Sequence, residues 1–279
     1  MVDFLYHYTT IQNLALILKN KTLRLMPLNL MDDLQETKSK DIQNFGQFVY
    51  VSSWTDKAKE VIPMWKMYTK PECGVRIGLI KNPFQIIDNA TNKFRDPTQS
   101  EYMNSKDKNT EGIYPIIHIN EMMPKNCIIA NMGLNQQLTQ VKYCHNPEEL
   151  EPQIISLNKD TGNLEISLGK LGNTKNEYWR FQQEWRYIIR TQPFSIPRSF
   201  KSFDGEMTKY ITELLTGAAK QSLPYIDLHL SSYALETMEI LLAPDMPEGN
   251  KILVDSLIEK YNPQMKYPIS ESCLTGLLR

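Results

Sequence analysis

The run LYHYTTIQNLALILKNKTLRL at residues 5–25 constrains the fold more than any other stretch of the chain. Tyr6-His7-Tyr8 has the aromatic, half-polar character of a partly buried strand. Thr9-Thr10-Ile11-Gln12 then resembles a capping box, a Thr followed three residues later by a Gln. Ile11, Leu14, Ala15 and Leu18 fall on one face of the helix that starts there. Asn20-Lys21 ends it, and Leu23-Arg24-Leu25 reads as a second strand. Strand, helix and strand thus follow one another almost without a connecting loop. This sets the His7 imidazole at a strand end beside a helix N-terminus, at the mouth of a fold rather than deep in a core.

The rest of the chain mixes strands and helices without a regular βαβ alternation. Residues 48–54 (FVYVSSW), 74–80 (GVRIGLI), 113–119, 139–143, 185–190 (WRYIIR), 225–230 and 239–242 read as strands from their β-branched, aromatic and alternating composition. Residues 63–68 (PMWKMY) read as a short helix with proline in its first turn. Further helices are expected near 205–221 and 247–260, with a helical turn at 231–235. Residues 29–36 (NLMDDLQE) form an acidic loop. The polar stretch around 88–111 reads as a mobile surface loop, and the Gly/Asn/Lys-rich stretch around 157–178 as a loop-rich insertion. The mixture predicts an α+β fold built on a largely antiparallel sheet. No linker divides the chain, so residues 1–279 are expected to form a single domain.

Composition and missing motifs narrow the function. With 41% apolar residues the chain can bury a sizeable core, and its 31 Lys and Arg balance 32 Asp and Glu. No global basic field draws it to nucleic acid. Its four cysteines, Cys73, Cys127, Cys144 and Cys273, form no CxxC pair. That argues against a zinc site or a disulfide framework and for thiols in a reducing compartment. No signal-peptide pattern and no apolar stretch of ~18 residues is visible, so a cytoplasmic protein without a membrane partner is expected. Glycine-rich phosphate loops, a GxSxG elbow, HExxH and metal-spaced His/Cys clusters are all absent. No metal is expected.

A few residues remain as candidates for chemistry. His7 is one of four histidines; its plain reading is a packed imidazole with a backbone partner. His118, His145 and His229 have no sequence partners and read as structural. Glu184, in Gln182-Gln183-Glu184-Trp185-Arg186, heads a strand and can face a cleft while Trp185 packs on the opposite side. The plain alternative is an exposed carboxylate paired with Arg186 or Arg180. Trp54, Trp65, Trp179 and Trp185, all the tryptophans, lie in or beside these segments, and suggest either an aromatic-lined cleft or a core of large rings. Asp32, Asp33 and Glu36 read as a solvated turn rather than a metal site.

These segments, in this order, resemble the bacterial domain-of-unknown-function family 2971. The resemblance rests on Tyr6-His7-Tyr8-Thr9-Thr10, Leu23-Arg24-Leu25 and Met31-Asp32-Asp33-Leu34-Gln35-Glu36. It continues through Ser52-Ser53-Trp54, Met64-Trp65-Lys66-Met67-Tyr68 and residues 74–78. It ends with Lys175, Trp179, Gln182-Gln183-Glu184-Trp185-Arg186 and Ile240-Leu241-Leu242-Ala243-Pro244. Asp32, Leu34, Gln182 and Ala243 depart from the family's usual Asn, Pro, Glu and Gly. The family is more distantly similar to the ADP-ribosyltransferase superfamily, whose opening strand and helix are echoed by His7, Asn13-Leu14 and Ile17-Leu18.

That wider resemblance implies a split, largely antiparallel β-sheet core with flanking helices and NAD held as substrate in the cleft. It implies a triad drawn from three strands: His7, then Ser52, Ser53 or Tyr68, then Glu184. His7 would meet ribose hydroxyls, and Tyr8, Tyr68 or Trp65 would stack on nicotinamide. Arg24 would meet the pyrophosphate, and Thr9, Ser53 and Gln182 would complete the binding set. Glu184 would stabilise the oxocarbenium-like cation as nicotinamide leaves. The implied activity is cleavage of the nicotinamide–ribose bond and transfer of ADP-ribose to nucleic acid, protein or water, as in a toxin or phage-defence effector. The alternative is a non-catalytic module that senses a nucleotide or a nucleic acid with the same cleft.

Overall fold

A computed structural model describes residues 3–70, 72–104, 115–118, 127–129, 137–157, 164–193, 203–220 and 223–277. Strand β1 (Phe4–Thr10) runs into helix α1 (Ile11–Asn20), which returns as β2 (Thr22–Pro27). Short 3₁₀ turns lead to β3 (Val49–Thr55), α2 (Ile62–Tyr68) and β4 (Gly74–Ile80). A hairpin, β5 (Ile86–Asp88) and β6 (Lys93–Arg95), and α3 (Gln99–Asn104) follow. Then come the short strands β7 (Cys127–Ile129), β8 (Leu138–Gln140) and β9 (Lys142–Cys144), helix α4 (Pro147–Leu150), β10 (Ile155–Leu157), β11 (Leu164–Ile166) and β12 (Thr174–Asn176). The long β13 (Glu184–Pro193), α5 (Phe203–Leu215), β14 (Ile226–His229), α6 (Ser232–Glu236), β15 (Glu239–Leu242), α7 (Glu248–Tyr261) and β16 (Ser270–Glu271) complete the chain.

The large sheet has the order β14-β2-β3-β1-β4-β15-β16, with β13 also on β3 and carrying β7 and β8. All its pairings are antiparallel except β15 with β16. The fold is therefore α+β, as the unalternated element order predicts. β3 is where the sheet forks. One edge pairs with β13 along its whole length, from Glu184↔Thr55 to Arg190↔Val49. The other edge is shared: β2 takes Tyr50 and Val51, and β1 takes only Thr55, through Tyr6. Between them Ser52, Ser53 and Trp54 have no ladder partner on that edge among the described residues, and β1 and β2 diverge around a cleft.

The two faces of the sheet are covered separately. Leu5, Leu14, Leu18, Leu25, Trp54 and Ile77 belong to one buried cluster, which α1 caps. Phe45, Phe48, Val51, Ile188 and Leu214 form another. Each such side chain contributes on the order of 1.5–3 kcal/mol of burial, so both prongs of the fork are anchored independently of the cleft between them.

Several local expectations are corrected. The α1 cap is Thr10, whose side chain accepts from Asn13 N, not Thr9. Thr9 is still extended, paired opposite Val75, and its hydroxyl accepts from the Asn13 side chain at 2.9 Å. The buried face of α1 is Ile11, Leu14, Ile17 and Leu18, so Ala15 gives way to Ile17. The stretch around 88–111 holds the second strand of a hairpin and a short helix up to Asn104; 105–111 lie outside the described residues. Of the strand expected at 113–119 only 115–118 lie among the described residues; no strand forms there, and Ile116 and Ile117 are buried. The expected strand at 139–143 is two short ones, and the 157–178 stretch carries β11 and β12 with 3₁₀ turns.

Candidate functional site

The fork opens into two adjoining cavities. The larger, about 430 Å³, lies between β1, α1, β2 and β3 and is lined by His7, Thr9, Asn13, Arg24, Ser52 and Ser53 among others. The smaller, about 70 Å³, lies on the β13 side and is lined by His7, Tyr8, Ser53, Tyr68, Gln182 and Glu184, with Lys175 and Asp32. His7, Ser53 and Met31 border both. The hinge between them is local: strands alternate their side chains, and β1 turns His7 toward the point where its pairing with β3 has ended.

His7 Nδ1 donates to Ser53 O at 2.7 Å. A carbonyl only accepts, so Nδ1 carries the proton, and in the neutral ring Nε2 is left as an acceptor. Burial pushes the His7 pKa below its usual value, more than the Ser53 bond lifts it. The imidazole is thus neutral and fixed, stacked at a tilt 5.1 Å from the Trp54 ring. It is suited to accept from a ligand hydroxyl, not to carry charge.

Behind the smaller cavity lies a buried cluster of charges. Arg186 is fully buried; its Nε donates to Glu184 Oε1 at 2.6 Å and its Nη1 to Gly172 O at 3.0 Å. Glu36 Oε2 sits 2.7 Å from the same Nη1, forming a second buried ion pair with Arg186. Lys175 Nζ donates to Glu184 Oε2 and to Gln182 Oε1, both at 3.0 Å. Gln182 Nε2 in turn donates to the Tyr68 hydroxyl. Burial by itself would raise the Glu184 pKa, but Arg186 and Lys175 outweigh it and hold the carboxyl at about 2. Glu36 goes the other way, raised because burial exceeds the pull of Arg186 and Lys175. Burial, with Asp32 and Glu184 nearby, also raises the Tyr68 phenol, so it stays protonated.

The fork thus brings His7, Tyr8, Ser53, Tyr68, Gln182 and Glu184 to one cavity, and Thr9, Arg24 and Ser52 to its larger neighbour. Ser53 also hydrogen-bonds Glu184, whereas the Ser52 hydroxyl accepts from Trp54 Nε1 at 3.0 Å. Tyr8 is buried, edge-on to Trp65 at 4.8 Å. Trp65 lines neither cavity: it is buried and its Nε1 donates to Glu60 at 2.8 Å. The expected stacking role of Trp65 is therefore corrected to a structural one. Arg24 reaches the larger cavity, but its fork is engaged by Asp227 at 2.8 Å through both Nε and Nη2, with its guanidinium 3.4 Å from the Tyr225 ring centroid. Asp33 and Glu36 are buried, which overturns the solvated-turn reading of the acidic loop for both; Asp32 is exposed. Glu184 is paired with Arg186 but not with Arg180, which binds Glu177. Sequence reasoning left Lys175 and Arg186 out of the site although both stand in its motifs, and nothing local to Glu36 signals its burial. Among the described residues no His/Cys/Asp/Glu group is placed to hold a metal, and no helix is long and apolar enough to cross a membrane.

Fold and site together define an α+β protein with a forked, largely antiparallel sheet and a cleft at the fork. Residues 64–187, from α2 through the first half of β13, match the model of the family described as protein of unknown function (DUF2971). The match supports the likeness to that family over the segment that supplies Tyr68, Lys175, Gln182 and Glu184. No curated protein and no solved structure matches the chain.

Proposed function

We propose that the fork is the substrate cleft of an ADP-ribosyltransferase-like enzyme that cleaves the nicotinamide–ribose bond of NAD and passes ADP-ribose to a nucleic-acid, protein or water acceptor. One observation carries the proposal: His7, Ser53 and Glu184, from three strands, converge on a cleft whose larger arm, about 430 Å³, is in the size range of small-molecule sites. The neutral His7 would accept from a ribose hydroxyl. Ser53, within bonding reach of Glu184, is the better candidate than Ser52 for the second position. Glu184 is ionised well below neutral pH, as stabilisation of an oxocarbenium-like cation requires. The test is incubation of the protein with NAD labelled in its adenosine half, in cell lysate. Label in free ADP-ribose, protein or nucleic acid, lost in Glu184→Ala, is the expected result. Unchanged NAD and no binding would sink the proposal.

A second reading, a non-catalytic nucleotide-sensing module using the same cleft, is favoured by one feature. Lys175 and Arg186 both bond the Glu184 carboxylate, and together they cancel the negative field a developing cation needs. If NAD raises the melting temperature without being consumed, this second reading replaces the first.

A further inference from the structure

A third cavity, about 280 Å³, lies against β1, β4 and β15, and Tyr6 is the wall it shares with the smaller cavity of the cleft. Tyr6, Gly78 and Glu239 stand in one cross-strand row, and Arg76 and Leu241 in a neighbouring row of the same face. Tyr267, Pro268 and Ser270 form an exposed rim. Gly78 marks the tightest point of the floor. A Cβ there would lie 3.0 Å from Glu239 Cβ and 3.1 Å from Tyr6 Cε1.

The charges on this floor are unusual. Arg76 is 9% exposed; its Nη1 donates to Ala58 O at 2.7 Å and its guanidinium lies 4.5 Å over the Tyr6 ring. Its Nε has no hydrogen-bond partner, and it makes no ion pair within 4.0 Å among the described residues. Glu239, two residues along the same face, makes no such ion pair either; it accepts from the Tyr6 hydroxyl. A guanidinium buried without a counter-charge is costly. Here a carboxylate shares its cavity and does not pair with it.

We propose that this cavity binds a small zwitterion of the α-amino-acid class. Its carboxylate would meet Arg76, its ammonium Glu239, and its side chain would point to the Tyr267 rim. A guanidinium fork matches a carboxylate, and the Glu239 oxygens accept from an ammonium. A simple anion would be repelled by Glu239 and a simple cation by Arg76, so the floor selects a ligand that carries both charges. The volume suits an amino acid and is too small for a dinucleotide.

The test is titration calorimetry of the full chain with each of the twenty L-amino acids, with acetate and methylammonium as single-charge probes. At least one amino acid should bind, with both single-charge probes much weaker. Glu239→Gln, which keeps the shape of the floor at a half-buried position, should weaken binding roughly tenfold or more, the worth of one charged hydrogen bond. Gly78→Ala should weaken binding by displacing Glu239 and Tyr6, the two side chains that its methyl would press on. Glu184→Gln should leave binding unchanged, which keeps this site separate from the NAD cleft. Variants are compared only where their melting curves remain cooperative. The proposal is overturned if no amino acid binds at millimolar concentration. It is equally overturned if acetate binds as tightly as the best amino acid and Glu239→Gln changes nothing.

Discussion

Glu184 is held in place by two cations and would be the first casualty of losing either. The cluster Glu36, Lys175, Glu184 and Arg186 contains two acids and two bases, so it is balanced as long as it is complete. Removing one member leaves an uncompensated buried charge, which costs roughly 3–5 kcal/mol. Arg186 touches both carboxylates and is fully buried, so Arg186→Met should fall in that range by urea denaturation. Adding Glu36→Gln removes one of the stranded acids and should recover part of the loss. If the double variant is no more stable than the single one, charge balance is not what the cluster supplies. Acid should act through Glu184 as well. Its carboxyl sits at about 2 in the fold against an ordinary 4.5, so the folded state binds its proton less readily than the unfolded chain. The stability it adds is therefore fully present above pH about 4.5 and is lost as pH falls toward about 2. The stability difference between wild type and Glu184→Gln should be constant near neutrality and narrow through that window. A difference that does not change with pH would show that Glu184 is not held by charge.

At the scale of elements, what was legible in the sequence depends on how far each element's partners lie along the chain. β1, α1 and β2 are legible in type and order because their signals are local: apolar spacing, a threonine cap and an immediate return strand, although the cap falls on Thr10 rather than Thr9 and Ile17 takes the place of Ala15 on the buried face. β3, β4 and β13 were read from alternation alone, which reports a strand but not its neighbours. The fork itself was invisible. It exists because β1 and β2 share one edge of β3, and no local pattern specifies the register at which one stops and the other begins. Glu36 failed for the same reason. Its sequence surroundings are those of a polar turn, and it is buried only because Arg186 comes to it from β13. The hairpin of β5 and β6 is not legible, because strands of three residues joined by Asn89, Ala90, Thr91 and Asn92 carry too few apolar positions to register. Trp65 was misjudged because an aromatic beside a site looks the same in sequence whether it lines a cavity or packs beneath one. Arg24 shows the opposite limit. Its place near the cleft was legible, but its engagement with Asp227, which lies on β14, was not.

For the whole molecule, the same long-range pairing sets the order in which the site can form. Thr55 and Glu184 are register partners 184 − 55 = 129 residues apart, whereas β1, α1 and β2 are contiguous. Closing so long a loop carries an entropy penalty before any contact rewards it, and non-local pairing of this kind is slow. A chain of this length also tends to fold through partly structured species. The local strand–helix–strand unit should therefore form early, and the site, whose Glu184 arm needs β13 docked on β3, should be completed late. Trp54 and Trp185 face each other across that junction as register partners, so their fluorescence reports its closure. In a Trp65→Phe, Trp179→Phe background, stopped-flow refolding should show far-UV ellipticity gained in a phase faster than the fluorescence change. NAD added during refolding should then bind only in the slower phase if the cleft is its site, because Glu184 joins His7 there only once β13 is docked on β3. A single common rate for ellipticity and fluorescence would mean that β13 docks with the rest of the sheet, and that the cleft is as old in folding as the strand–helix–strand unit beside it.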